Sequence, residues 1–486
     1  MTAPRREHEM DTRYTDRIVD FTVNTRFEDI PPQALNVARE AIFDCIGVAL
    51  AGAVEPAGRI GAEWARSCAG AEQSTVWGHG LRTAADHAAL VNGTAAHALD
   101  YDDVTWGLVG HPSVSLVPSL VALGEVTGAS GRDVLLCYAL GFEVMAKIGR
   151  TTQPLHSLEG RWHATSTIGS FGVTAACCRL LGLTAGETAY ALGIAYSMTS
   201  GNVCNFGTMT KPFHAGLAAR NGVQAAQWAR LGFTSVPHPF DGPTRFQDVY
   251  SRGLPCDMAP IEELGKDYEL VTRAVVIKPY PCCVSAHTGI DAAKRLHEED
   301  KVALEDIEKI DIGVVNYTSD KLSYTRPRTG LEGKFSMQYT VARMIRDGKL
   351  TLESFTDQAV NDPAIQAFLP KVEMYHDEEA ERKWRIGSRP ADMHVTLKDG
   401  RKINKLVKIS KGNKEVPLSS GELRDKFRDC ARLSLDEASI EQAIVQIERL
   451  ESLAKISELA DSLSHRRQAR DAKPSVRARE AAALSG

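Results

Sequence analysis

SVSLVPSLVALGEVTGASGRDVLLCYALGFEVMAKIG, residues 113–149, decides the fold class. Two apolar runs, 113–128 and 133–149, carry helical spacing with almost no polar face, the pattern of helices buried on most sides. The neighbouring stretches repeat it. Pro31-Pro32 opens ALNVAREAIFDCIGVALAG with Gly52 as its stop, prolines being tolerated in a first helical turn. Thr184 and Glu187 form a capping box before TAYALGIAYSMTSG. AGLAARNGVQAAQWARLG, 215–232, is a small-residue helix suited to close helix–helix approach. The expected class is therefore mainly α.

The pattern changes near residue 270. IEKIDIGVV (307–315) alternates apolar and polar residues, as a half-buried strand does. MHVTLKDGRKINKLVKI (393–409) holds two alternating runs joined by Asp399-Gly400, a hairpin signal. A helical segment, 336–349, lies between them. These features predict an all-helical domain over 1–270 plus 411–463, a smaller inserted α+β domain over 271–410, and a disordered Arg-rich tail over 464–486.

Composition narrows the function. Among 486 residues, 43% are hydrophobic and 24% charged, which is ordinary for a globular protein. With 57 Lys+Arg against 62 Asp+Glu the net charge is −5, which argues against a coat for nucleic acid or anionic membrane. An anionic substrate would then require a local cationic pocket. Ten cysteines show no C-x-x-C spacing, and several lie in apolar runs, as free thiols in a reducing cytoplasm do. No secretory leader or membrane-spanning run is present in the sequence, so a cytoplasmic location is expected. P-loop, G-x-G-x-x-G and G-x-S-x-G signatures are absent, which leaves acid–base side chains in a pocket.

Five segments can supply such side chains. NGTAAHALDYDD (92–103), followed by Thr105 and by His111 in G-H-P, gathers two histidines and three aspartates. His97 and Asp100, one helical turn apart, could face a metal ion, but a third ligand at useful spacing is missing, and no metal is expected. The D-x-D-D of residues 100–103 also matches a terpene-cyclase acid, without that class's aromatic-rich repeats. The other segments are Arg161-Trp162-His163, Lys211-Pro-Phe-His214 before a helix, Lys278-Pro-Tyr-Pro-Cys-Cys-Val-Ser-Ala-His287, and Tyr324-Thr-Arg326-Pro327 with Lys334 downstream.

In this order NGTAAHALDYDD with HPS, RWH…GSFG, KPFHAGLAARNG and KPYPCCVSAH resemble the MmgE/PrpD family over nearly the whole chain, about residues 15–460. The family holds 2-methylcitrate dehydratases, cis-aconitate decarboxylases and iminodisuccinate epimerases. The resemblance implies a helical domain with a smaller α+β lid, a homodimer, no cofactor, and a small carboxylate substrate. It implies Asp100, His111, His163, Lys211 and Tyr324 as catalytic residues, and Thr105, Lys211, His287 and Arg326 as substrate-binding ones. The segment between Asp100 and His111 is longer than expected of the decarboxylase branch, and Gly107 follows Trp106 where a histidine is expected. The reaction expected from sequence is thus dehydration of 2-methylcitrate or citrate. Decarboxylation of cis-aconitate, epimerisation, and non-catalytic carboxylate binding are the alternatives.

Overall fold

The structure, a computed structural model, describes residues 13–68, 70–383 and 389–464. The tail expected beyond Ser464 lies outside them. The chain is mainly α, with small sheets only. The larger core is built from α1 (Pro32–Ala53), α2 (Ala85–His97), α3 (Ser113–Thr127), α4 (Gly131–Thr152), α5 (Ala164–Leu180), α6 (Ala185–Met198) and α7 (Thr210–Arg230). Local sequence explains their ends. Pro32 begins α1, the Thr184–Glu187 box caps α6 reciprocally, and Gly128 closes α3 with φ +70°. A short hairpin, Ser74–Val76 with Leu81–Thr83, packs beside them and was not expected from sequence.

The smaller unit has its own core, running from Tyr280 to Val407. It contains α8 (His287–Glu299), β1 (Ile307–Val314), α9 (Met337–Asp347), β2 (Val372–His376), β3 (Ala391–Leu397) and β4 (Lys402–Val407). The sheet order is β2-β1-β3-β4; β1 and β2 are parallel and the other pairs antiparallel. Asp399-Gly400 turns β3 into β4, with Gly400 at φ +87°. Along β3 burial alternates, so one face of the sheet packs against α8 and α9 while the other meets solvent. The chain then returns to the helical core through α10 (Ser420–Ala431) and α11 (Glu437–Glu448).

One contact positions the site. Helices α2 and α7 cross where Gly93 faces Gly216. A Cβ on Gly216 would stand 2.3 Å from Leu90 O and from Thr94 Oγ1, and one on Gly93 would stand 3.0 Å from the Gly216 Cα. Only hydrogen fits there, so the two backbones touch and their relative slide is fixed. That slide sets the C-terminal end of α2, with His97, against the first turn of α7, with Lys211. Gly216→Ala should lower stability to urea by about 1–3 kcal/mol through overpacking. Gly186→Ala, at an exposed site where a Cβ meets nothing within 4 Å, should leave it unchanged or slightly raised.

Candidate active site

Immediately after α2 the chain makes a sharp turn in which Asp100 adopts a left-handed conformation, φ +50°. Aspartate tolerates that region better than most residues, but it needs support. Three buried ammonium groups supply it on successive carbonyls. Lys334 donates to Leu99 O at 2.6 Å, Lys278 to Asp100 O at 2.8 Å, and Lys426 to Tyr101 O at 2.9 Å. The Asp100 carboxylate takes Lys278 again at 2.8 Å and Lys211 at 3.2 Å. Burial opposes its charge, but the two ammonium groups outweigh burial and hold its pKa below the ordinary value. Burial likewise opposes the Lys278 charge, and Asp100 with Asp102 more than offsets it.

Asp102, wholly buried, joins two imidazoles. Its Oδ1 lies 2.9 Å from His97 Nδ1 and its Oδ2 lies 2.6 Å from His111 Nδ1. Despite burial, those two rings hold Asp102 well below the usual carboxylate range. An ionised carboxylate only accepts, so both Nδ1 atoms carry hydrogen and each Nε2 is left to act elsewhere. His97 Nε2 accepts from Lys211 at 2.8 Å. His111 Nε2 faces Asp100, 3.8 Å from Oδ1. Burial keeps both imidazoles toward their neutral forms, pushing His97 down to about 3 and His111 below 6.5.

Asp100, His111, Lys211 and Lys278 form one wall of a cleft. His163 lines it too, its Nδ1 3.1 Å from His214 Nδ1, so one ring donates to the other. Burial and the Lys211 charge lower the His163 pKa. Strained backbone recurs beside the histidines, with φ +56° at Val109 and +58° at Arg161. For β-branched Val109 that conformation is disfavoured unless the surroundings impose it.

Of the residues expected from sequence, Asp100, His111, His163 and Lys211 line this cleft. The other four do not. Thr105 is fully buried and its hydroxyl is spent on Ala274 O at 3.0 Å. His287 lies fully buried, beside the Cys282 carbonyl and against the Tyr280 ring. Arg326 is exposed on a loop. Tyr324 places its hydroxyl against Gly207, next to the lining residue Phe206. Lys278, quoted in its motif but given no role from sequence, lines the cleft, as do Lys321 and Arg389.

The fold brings Asp102 and His111 to His97 and Asp100, so four donors lie within 4.8 Å of one another, which spacing alone did not reveal. Two of the lone pairs a cation would need already accept from Lys211 and Lys278, and those ammonium groups repel one. The donor set therefore suits protons rather than a metal. Lys278→Met leaves the buried Asp100 carboxylate short of a partner and should lower stability by about 3–5 kcal/mol. Adding Asp100→Asn should recover part of that loss; a double variant less stable than Lys278→Met would contradict the pairing.

The chain is similar to known proteins along most of its length. The chain is 30% identical to the cis-aconitate decarboxylase of Mus musculus over 435 residues, 87% of each chain. It is 25% identical to the cis-aconitate decarboxylase of Aspergillus terreus over 473 residues, 92% of this chain and 95% of that one. With the 2-methylcitrate dehydratase of Cupriavidus necator it shares 25% over 459 residues, 85% of this chain and 88% of that one. The model of the MmgE/PrpD N-terminal domain matches residues 16–258 and that of the C-terminal domain residues 280–451. With both models matched across most of its length, the chain belongs to the MmgE/PrpD family.

Proposed function

We propose that this chain is a cofactor-independent lyase that removes CO₂ from a cis-aconitate-type tricarboxylate. The observation that carries the proposal is the Asp102–His111 dyad aimed at the cleft beside two carboxylate-binding ammonium groups. The Mus musculus decarboxylase supports this choice of reaction over the dehydration expected from sequence, because it matches at 30% identity against 25% for the dehydratase. The Asp100–His111 spacing and Gly107 pointed away from decarboxylation, but matches extending over 87% of the chain outweigh those two local departures.

The chemistry needs charge placed ahead of time. As the carbon–carbon bond to the departing carboxylate breaks, its electron pair forms a new double bond and the old one shifts. Negative charge then develops on the carboxylate conjugated to the far carbon. Lys211 and Lys278 stand where they can offset that charge. The imidazolium of His111 gives its Nε2 proton to the far carbon, so one proton is consumed and one CO₂ released. Asp102 accepts from Nδ1, orients the ring and stabilises its charged form. Dehydration ranks second: neutral His111 would remove a proton beside a carboxylate and an acid would protonate the leaving hydroxyl.

The two reactions have opposite pH signatures. Burial lowers the His111 pKa below 6.5, and a proton donor works only while protonated. For CO₂ release, kcat/KM should be flat in acid and fall by about tenfold per pH unit above that lowered pKa. A base-catalysed dehydration would instead rise through the same window. Purified protein should release CO₂ from cis-aconitate, and His111→Asn should lose about 10²-fold or more in kcat while melting normally. Formation of an unsaturated acid from 2-methylcitrate without CO₂ release would favour the second reading. Dialysis against EDTA should leave turnover unchanged; loss restored by a divalent ion would refute the metal-free proposal.

A further inference from the structure

Arg389 lies in the smaller unit, far in sequence from every residue of the acid–base cluster. The antiparallel pairing of Gly313 with Asp392 brings the segment after β1 and the two residues before β3 to one end of the sheet. Tyr317 and Lys321 come from the first and Arg389 from the second. The Arg389 backbone is held there by Thr288 Oγ1, which donates to its carbonyl at 2.7 Å. The side chain then reaches the opposite wall. Its guanidinium carbon stands 3.8 Å from the Trp106 ring centroid and 4.4 Å from that of Tyr317, so two aromatic rings fix the guanidinium.

The unusual feature is what this group lacks. Arg389 is 7% exposed, yet its buried Nε and Nη1 make no hydrogen bond, and no carboxylate pairs with it among the described residues. Buried guanidinium groups are normally paired, because an unpaired buried charge and unmet donors are both unfavourable. Stacking satisfies neither N–H. Arg389, Trp106 and Tyr317 all line the cleft that holds His111 and Lys211. Each unmet donor forms, with the Nη2 beside it, a parallel pair of N–H groups that matches the two oxygens of a carboxylate, which a lysine's point charge does not do.

We propose that Arg389 is the receptor for a second substrate carboxylate, one that neither leaves as CO₂ nor takes up charge at Lys211 and Lys278. The inference rests on the polycarboxylate reading above and extends it to specificity. The helical domain carries the proton chemistry, and the smaller unit recognises the far end of the acid. Trp106 and Tyr317 hold the fork in a fixed orientation, so a ligand need not order it on binding.

The test is titration calorimetry with tricarballylate, a saturated tricarboxylate that cannot react, on the full chain. Wild-type protein should bind it. Arg389→Gln should weaken binding about 10- to 100-fold with an unchanged melting temperature of the free protein. Arg389→Lys should recover only part, because it restores charge without the fork. Millimolar methylguanidinium should restore binding to Arg389→Ala, which a role confined to packing would not permit. Wild-type protein that binds no tricarballylate would overturn the polycarboxylate reading itself. Wild-type binding with equal affinity in Arg389→Gln would overturn the Arg389 assignment alone. Lost binding without methylguanidinium rescue, together with a lowered melting temperature, would reduce Arg389 to a packing residue.

Discussion

Three buried ammonium groups on three successive carbonyls, Leu99, Asp100 and Tyr101, are the constraint on which the rest of the site depends. A lysine loses hydration when buried and regains stability only if its donors are met. Burial pulls Lys334 down to about 8, and its two acceptors are the Leu99 and Pro281 carbonyls. Lys426 also reaches the Lys278 carbonyl and the buried Asp44 carboxylate at 2.6 Å. The three lysines come from the smaller unit, the segment joining the two cores, and the returning helix α10. One turn therefore stitches together parts of the chain more than three hundred residues apart.

The same arrangement resolves the charge balance of the protein. A net charge of −5 attracts no anion, and the acidic segment 100–103 lies at the cleft wall. Each of its aspartates is accounted for. Asp100 faces two lysines and Asp102 two histidines, whereas burial raises the Asp103 pKa well above its ordinary value and Ser113 donates to it at 2.7 Å. Lys211, Lys278, Lys321 and Arg389 then face the same space. The cleft is cationic because its acids are already partnered.

Features governed by near neighbours in sequence were legible in it. The Thr184–Glu187 cap, the Asp399-Gly400 hairpin, the strand near 307–314 and the buried helices each follow from a few adjacent residues. The parallel strand Val372–His376 and the hairpin near residue 80 did not, because short strands are stabilised by partners that periodicity does not name. At the site, motif resemblance brought Asp100, His111, His163 and Lys211 forward. It gave no way to see that the Thr105 hydroxyl turns to a carbonyl or that Arg326 points to solvent. Arg389 carries no local signal, since its importance comes from sheet register and from a tryptophan nearly three hundred positions earlier. The reaction was harder still, because dehydration and decarboxylation use the same imidazole in opposite protonation states.

The left-handed residues Asp100, Val109 and Arg161 have a consequence for how the protein comes to be active. Each sits in the left-handed region that non-glycine residues rarely adopt; Asp100 is itself a cleft acid, and Val109 and Arg161 stand two residues before the cleft histidines His111 and His163. No short segment would hold these shapes by itself. The geometry of the cleft is thus a property of the completed packing, absent from any partly folded chain. On the proposed lyase reading, turnover doubles as a measure of the fully native fraction, and loosening the smaller unit should extinguish chemistry housed in the helical core.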